Sequence, residues 1–380
     1  MRFLEFGEEW KRNRLSESCD IYDGTHQTPQ YTKDGVPFVS VEDVTALREI
    51  EKKYISEKAF KRDFKIAPKQ GDILMTRIGD IGTSMIVRDD DPLAYYVSLA
   101  LIHPKTINSK YLDSYIASPY FKKELYRRTI HVAFPKKINK EDIGECFISC
   151  PNIIEQEKIG VFLELIDERI AIQSKVIEDL RSLYDVICQK LYSSNEKKEW
   201  HEFKYADLLT ISNERNSRLQ YTNVLSASQE YGMVERGELN IDIKYDATSI
   251  KNYKIVHPNE YVIHLRSFQG GFAYSDKTGI CSPAYTILVP NGKLIPAFLK
   301  YYFTSTQFIN SLRIVTYGIR DGRSISVEEF LQLKISIPTI SEQHYILSVM
   351  QLWEEKIRIE ECHLSNLQKQ KQYLLRQMFI

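Results

Sequence analysis

One long segment occurs twice in this chain, and this repeat limits the possible folds more than any other feature. Residues 151–170 read PNIIEQEKIGVFLELIDERI, and residues 338–357, which lie 187 positions later, read PTISEQHYILSVMQLWEEKI. Two copies are fewer than the three or more repeats that a solenoid needs. The sequence therefore predicts a tandem duplication, in which a globular module followed by a helix is repeated once.

Both copies of the segment begin with a helix start signal and continue as a coiled-coil seam. Asn152 with Glu155, and Thr339 with Glu342, have the spacing of a capping box. Apolar residues then recur in alternating steps of four and three, which is a heptad pattern. Because such a seam is unstable in water, we expect the two helices to pair, and an antiparallel pair is the simplest geometry. The alternative is that each helix packs on its own module.

We expect polar Gln173 and its equivalent Glu360 to fix the register of this helix pair. The predicted helix-pair interface consists of Ile166, Ile170, Gln173, Ile177, Leu180, Trp353, Ile357, Glu360, Leu364 and Leu367.

The chain outside these helices predicts globular modules of mixed secondary structure. Short strands are indicated at 36–41, 72–78, 83–87 and 95–102, a helix interrupted at Pro119 is indicated at 109–128, and Pro296 is expected to start a long helix. The predicted fold class is α+β, with two pseudo-twofold-related mixed α/β domains joined by two long antiparallel coiled-coil helices. The predicted ranges are 1–150 and 196–337 for the modules, and 151–195 and 338–380 for the helical regions.

The charge distribution points to local rather than global nucleic-acid binding. The formal net charge is zero, whereas isolated DNA-binding domains are usually basic. Residues 122–140 contain seven Lys or Arg and only one acid, and Tyr126, His131 and Phe134 lie among them, which suits a surface for phosphates and bases. The alternative interpretation is a solvated helix face with a polar loop.

Further candidates for DNA contact lie in a polar loop at 22–35, in a Gly-rich turn of the second module, and at the ends of two matching strands. Arg77 and Arg266 end those strands, and each could form a salt bridge at the edge of the core instead. The residues that we predict to contact DNA are Thr25, His26, Gln27, Thr28, Arg77, Lys122, Lys123, Arg127, Arg128, Lys136, Lys137, Arg266, Gln269, Arg320 and Arg323.

No catalytic or metal site is indicated by the sequence. No strand–GxGxxG–helix, Walker A, HExxH or GxSxG pattern occurs. None of the six cysteines forms a CxxC pair, and we expect them to be reduced thiols. No apolar run is long enough to cross a membrane and no secretory signal begins the chain, so we expect a cytoplasmic protein. A coiled-coil scaffold without DNA binding and a stand-alone DNA methyltransferase with degenerate motifs remain as alternatives.

These features together resemble the specificity subunit of type I restriction-modification systems. The most specific segments are DGTHQTPQYTKDGVPFVSVEDV from Asp23, GDILMTRIGDIG from Gly71, and the two P-x-x-x-x-E-Q helix starts at Pro151 and Pro338. The resemblance implies that each module is a target recognition domain that reads one half of a bipartite site in double-stranded DNA. It further implies that the helices set the spacer between the half-sites and dock two modification subunits.

The same resemblance implies that this chain is not an enzyme. Methyltransferase, ATPase and nuclease activities, together with S-adenosylmethionine, ATP and Mg, would belong to the modification subunits and to the restriction/translocase subunits. One departure is that the second module lacks the DGTHxTP loop, so its base-reading residues are not placed by analogy.

Overall fold

The computed structural model describes residues 2–27, 29–45, 52–193, 199–228, 231–239, 247–264, 271–312, 316–317 and 324–379. The chain forms two compact units. Unit 1 consists of Met1–Lys175 with Cys362–Ile380, and unit 2 consists of Val176–Glu361. Each unit contains part of both long helices, so the units do not follow the four ranges given by the sequence, which stay a prediction.

Unit 1 contains ten described strands and the first seven helices. Its strands are β1 (Lys11–Arg14), β2 (Cys19–Asp23), β3 (Tyr31–Thr32), β4 (Val36–Val39), β5 (Lys53–Ile55), β6 (Ile73–Ile78), β7 (Asp80–Ile86), β8 (Ala94–Tyr95), β9 (Leu99–Pro104) and β10 (Phe147–Cys150). Its helices are α1 (Leu15–Ser18), α2 (Val41–Thr45), α3 (Glu57–Asp63), α4 (Ser109–Ile116), α5 (Pro119–Arg128), α6 (Lys140–Gly144) and the first part of α7 (Ile153–Leu191).

Unit 2 contains the second part of α7 and the elements that follow it. Its described strands are β11 (His201–Lys204), β12 (Leu209–Ser212), β13 (Leu225–Ser228), β14 (Gly232–Glu235), β15 (Lys254–Val256), β16 (Tyr261–Ile263), β17 (Phe272–Tyr274), β18 (Gly279–Cys281), β19 (Thr286–Pro290), β20 (Thr316–Tyr317), β21 (Ser324–Ile325) and β22 (Lys334–Ile337). Its helices are α8 (Phe298–Tyr302), α9 (Thr306–Ser311), α10 (Val327–Gln332) and α11 (Ile340–Met378), which ends in unit 1.

Both units are built on the same four-stranded antiparallel sheet. Its order is β2-β9-β6-β7 in unit 1 and β12-β19-β16-β17 in unit 2. In each unit a second antiparallel pair joins the entering strand to the strand before the long helix, β1 with β10 and β11 with β22. The duplication read from the sequence is therefore a duplication of topology, and the fold class of two mixed α/β modules with two long helices is confirmed.

The units differ in the segments where the two sequence copies diverge. Unit 1 adds a second sheet in the order β3-β5-β4-β8, in which β4 and β8 are parallel. Unit 2 has the two-stranded pairs β13-β14 and β15-β18 instead. The additions lie between the shared strands of the sheet in sequence, so they change the loops of a module without changing its scaffold.

The two long helices run antiparallel inside each unit. In unit 1 the beginning of α7 (Ile159, Leu163) shares a core cluster with the end of α11 (Leu374, Met378), and Asp167 pairs with Lys371. In unit 2 the end of α7 shares a core cluster with the beginning of α11, and Arg181 binds Glu361 at 2.6 Å. The same clusters contain module residues, so each helix also packs on its own module in its first turns.

The end of the chain belongs to the core of unit 1. The Phe379 side chain is fully buried, and its ring contacts Tyr115 and Tyr111 at centroid distances of 5.1 and 5.6 Å. Burial of an aromatic ring of this size is a large stabilising contribution. The end of α11 and the residue that follows it are therefore part of the hydrophobic core of unit 1.

The helix start predicted at Asn152 is confirmed, but its glutamate has a different partner from the one that a capping box provides. The amide of Glu155 donates to Asn152 Oδ1 at 2.9 Å, but the carboxylate of Glu155 binds the guanidinium of Arg2 through both oxygens at 2.6 Å. Because this carboxylate is buried, the fork of Arg2 is a stronger partner than the Asn152 amide would be. The Asn152 half of the predicted capping box is therefore confirmed, whereas the carboxylate of Glu155 binds Arg2.

The predicted helix at 109–128 is divided at Ser118, whose hydroxyl caps α5 with Pro119 in its first turn, as expected. The long helix expected from Pro296 is wrong. Its first residue is Phe298 and α8 has five residues, because Ala297 has a φ of 67° and Ser305 starts a new helix, α9.

Candidate nucleic-acid interface

Three segments that the sequence singled out meet at one end of the main sheet of unit 1. Asp23 is the last residue of β2, and Arg77 is the next-to-last residue of β6. Ser98 immediately precedes β9, the strand that lies between β2 and β6. The Arg77 amide donates to the Ser98 carbonyl at 2.9 Å, and the Arg77 carbonyl accepts from the Ile138 amide at 3.0 Å. The backbone of Arg77 therefore joins two loops that are far apart in sequence.

The side chain of Arg77 adds a third loop to this junction. Its guanidinium is 8% exposed and pairs with the carboxylate of Asp23, while its buried Nε has no hydrogen-bond partner among the described residues. An ion pair with this little exposure is held rigidly, because a charge that loses its partner there is costly. Contact of Arg77 with DNA stays a prediction, since in this conformation the guanidinium fixes the junction.

The loop after β2 carries Thr25, His26 and Gln27. Thr25 is tied down by its backbone, since its carbonyl accepts from the Val97 amide at 3.0 Å, and its hydroxyl accepts from the Gln27 amide at 3.3 Å. The side chains of His26 and Gln27 are exposed. Thr28 lies outside the described residues. The loop thus presents two polar side chains to solvent from a fixed base.

The second loop, residues 130–137, is called here the basic loop. Lys137 forms antiparallel bridges with Ile130 and with Ile78, and the Gly79 amide donates to the Lys136 carbonyl at 2.8 Å. The junction of β6 and β7 at Gly79, where the GDIG sequence begins, therefore holds the base of this loop. Lys136 and Lys137 themselves are exposed.

The cations of α5 fall into two groups. Arg127 and Arg128 bind the carboxylate of Glu124 at 3.1 and 2.8 Å. Burial alone would raise the pKa of Glu124, but the Phe147 amide and the two arginines lower it overall, so this carboxylate is ionised and already paired.

Lys122 and Lys123 are exposed and form no ion pair within the described part of the chain. Like Lys136 and Lys137, they are therefore available to phosphates.

In unit 2, the described residues show only the base of the corresponding loop. Tyr317 pairs with Ser324, and these two residues lie 187 positions after Ile130 and Lys137. Arg320 and Arg323, which lie between them, are outside the described residues, as are Arg266 and Gln269. The bases of the two loops thus lie at equivalent positions of the repeat, and DNA contact by these four residues stays a prediction.

The predicted helix-pair interface is shielded from solvent to different degrees. Ile177 and Leu367 are buried, and the other eight residues are half-buried. One polar break in the seam, Lys371, is neutralised by Asp167 of the other helix within unit 1. That Gln173 and Glu360 fix the register stays a prediction.

Sequence reasoning missed the role of the glutamine in the P-x-x-x-x-E-Q starts. Gln156 Oε1 accepts from the Asn108 amide at 3.0 Å, and Gln156 Nε2 donates to the Pro151 carbonyl at 2.9 Å. Gln343 makes the equivalent bonds with Ile295 and Pro338, again to a residue 48 positions earlier. Each glutamine locks its long helix to the start of a helical segment in its module. The signal was present, because both copies keep Gln at this place.

A second missed feature is a row of exposed apolar side chains on the long helices. Leu165 and Ile172 of α7 are exposed in unit 1, and their equivalents Leu352 and Ile359 of α11 are exposed in unit 2. The repeat keeps these residues apolar on a face that the helix pair does not cover. The two residues of each copy are seven positions apart, about two helical turns, so they lie on the same face of their helix.

Four of the cysteines are buried thiols in the described structure. Burial raises the pKa of Cys19, Cys146, Cys188 and Cys281 to about 12, so these thiols are protonated at neutral pH and poorly reactive. In this part of the chain no three His, Cys, Asp or Glu side chains are grouped so as to hold a metal ion. None of the described helices has the length and apolar content needed to cross a bilayer.

The structure thus repeats one four-stranded antiparallel sheet, and each copy is followed in the chain by a long helix. The family described as "Type I restriction modification DNA specificity domain" matches residues 7–182 and again 197–369. The chain belongs to this family, as a type I restriction-modification specificity subunit that carries two DNA specificity domains. The resemblance drawn from the sequence is thereby confirmed.

Individual relatives agree with this assignment. The type I restriction enzyme EcoBI specificity subunit of Escherichia coli is 29% identical over 165 residues, which are 40% of this chain and 34% of that protein. The match therefore spans about a third of the relative's length.

Two solved structures share the fold. The S subunit of a type I restriction-modification system from M. genitalium has a TM-score of 0.59 at 14% identity, with 100% of this chain and 98% of that chain covered. A chain from a structural study of the assembly and conformational transition of the type I R-M system has a TM-score of 0.61 at 14% identity, covering 98% and 97%.

Proposed function

We propose that this chain is the non-catalytic reader of a bipartite site in double-stranded DNA. Each module reads one half-site, and the antiparallel helices set the number of base pairs between the halves. The observation that carries this proposal is the repetition of one sheet and one anchored loop in a chain with two DNA specificity domains. Two readers with one scaffold and different loops are suited to two different half-sites.

We propose further that the exposed row on the long helices docks two modification subunits. The pairs Leu165 with Leu352 and Ile172 with Ile359 support this, because one kind of surface then occurs once per copy. The modification subunits would supply S-adenosylmethionine and methylate adenine. The restriction/translocase subunits would supply ATP, Mg and nuclease activity, and the complex would act in the cytoplasm. No cofactor is assigned to this chain.

The net charge of zero is consistent with this division of labour. Phosphate contacts contribute most of the salt dependence of DNA binding, and each contact contributes a slope of about −0.9 in a plot of log K against log salt. A neutral chain with a few free lysines makes only some of these contacts, so the docked partners must make others. We therefore expect tight DNA binding by the assembled complex and weak binding by the isolated chain.

Methylome sequencing tests the proposal in cells that carry this gene with its modification subunit. We expect methylated adenines in a motif with two defined parts and a spacer of fixed length. Deletion of this chain should remove all of these marks, whereas a scaffold that does not bind DNA predicts that sequence-specific marks persist without it. Persistence of the same motif after deletion would refute the proposal.

A further inference from the structure

The tip of the basic loop is apolar and completely exposed. Phe134 and Val132 have relative exposures of 104% and 97%, which means that neither side chain packs on the protein. Isolated exposed apolar residues are ordinary. Here, however, two of them lie within residues 131–135, the tip of the basic loop, and one of the two is aromatic. Covering a side chain of this size with a partner surface lowers the free energy of the system.

The loop is held in place at its base. Besides the bridges of Lys137 with Ile130 and Ile78, the ring of His131 packs on Tyr126 at a centroid distance of 4.4 Å, and His131 Nε2 is 2.9 Å from the Tyr126 carbonyl oxygen. These contacts fix both ends of the tip, so ordering it on a partner costs little conformational entropy. The loop is thus a short finger that projects Phe134 away from unit 1.

The charges around this finger select its partner. Lys136 and Lys137 directly follow the tip, and Lys122 and Lys123 lie on the preceding helix α5, all four exposed. Of the nearby acids, Glu124 is already bound by two arginines, and Asp80 in the adjoining turn accepts from Thr76 Oγ1 at 3.2 Å. An apolar tip next to unpaired cations matches a groove of duplex DNA, whose walls are phosphates and whose floor is the edges of stacked bases.

We propose that Phe134 is an apolar wedge that enters a groove of the duplex and packs against a base step beside the first half-site. Lys136 and Lys137 bind neighbouring phosphates. Phe is among the residues that DNA-bending proteins insert between base pairs, and it also packs on the methyl group of thymine. This inference rests on the proposed function and adds to it a residue that reads the deformability of the DNA rather than hydrogen-bonding groups.

The first test is a binding titration of the assembled complex on a duplex that carries the methylated motif. We expect Phe134→Ala to weaken binding about 10- to 100-fold, because the complex then loses the burial of one large apolar side chain. The salt slope should not change. Phe134→Leu should retain most of the affinity. The double variant Lys136→Ala, Lys137→Ala should instead reduce the salt slope by about 2 units. Leu4→Ala, which removes another fully exposed apolar side chain, is the matched control and should change nothing.

The second test locates the contact. A photo-crosslinking amino acid, p-benzoylphenylalanine, is placed at position 134 and the complex is irradiated on the duplex, and we expect crosslinks to DNA. In a separate measurement the wild-type complex binds duplexes that carry 2-aminopurine at successive positions. We expect a rise in 2-aminopurine fluorescence at one step, and Phe134→Ala should abolish this rise. Crosslinks to a modification subunit alone, or wild-type affinity of Phe134→Ala, would overturn the wedge. Failure of the proposed function is distinguishable, because the wild-type complex would then show no salt-dependent binding of the motif.

Discussion

The glutamine in the first turn of each long helix gives the sharpest prediction about how the helices are fixed to their modules. Gln156 is 4% exposed and has bonds to Asn108 and Pro151. In Gln156→Leu the volume is nearly kept, but both backbone groups lose this partner. Each unsatisfied buried group costs about 1–3 kcal/mol, and the Asn108 amide is only partly buried, so we expect a total near 2–4 kcal/mol.

Hydrogen exchange measured by mass spectrometry reads this cost locally. Since a tenfold change in an equilibrium corresponds to about 1.4 kcal/mol, amides at the start of α4 should exchange about 30- to 700-fold faster in Gln156→Leu. Gln343→Leu should have the same effect around Ile295 and none on α4. The control is Glu157→Leu, which changes the exposed neighbour and should leave both regions protected. Unchanged exchange at the start of α4 in Gln156→Leu would refute the role given to this glutamine.

Three further predictions concern the core of unit 1 and its ionisation. Phe379→Ala removes a fully buried ring and should destabilise unit 1 by about 3–5 kcal/mol, seen as a lower denaturant midpoint; an unchanged midpoint would contradict the packing of the chain end. In Gly160→Ala the added Cβ would lie 2.7 Å from the Tyr111 amide nitrogen, so we expect a loss of about 1–3 kcal/mol and faster exchange in α4. Burial raises the pKa of Asp113 above its ordinary 3.8, so its charged form destabilises the fold. Asp113→Asn should therefore have a higher Tm than the wild type at neutral pH, and this difference should shrink as pH falls toward and below 3.8; a difference that grows toward low pH would show the opposite sign.

The elements of the fold were accessible from local sequence pattern. The heptad steps predicted both helices, and apolar runs bounded by Gly and Pro predicted strands at positions where β4, β6 and β7 lie. The single strand predicted at 95–102 was wrong, because β8 ends at Tyr95 and β9 begins at Leu99 in a different sheet. The long helix predicted at Pro296 also failed, since the positive φ at Ala297 depends on packing that the local sequence does not reveal.

The candidate site was accessible only in parts. Its segments were recognised separately, but their meeting point depends on the sheet order, which places β9 between β2 and β6. The ion pair of Arg77 with Asp23 spans 54 positions, and the sequence left open whether this arginine contacts DNA or a carboxylate. Likewise, the charge count of 122–140 included Arg127 and Arg128, which the single acid Glu124 occupies. Pairing across space, rather than the sum of charges, decides which cations are available.

The spacing role of the helices admits the most direct test of the whole account. Seven residues that continue the heptad pattern are inserted after Gln173 and after Glu360, so that both helices lengthen by about 10 Å while the seam stays in phase. The methylome of cells carrying this variant with its modification subunit is then compared with that of the wild type. The account predicts the same two half-site sequences with a longer spacer between them. An unchanged spacer with altered half-sites would contradict it.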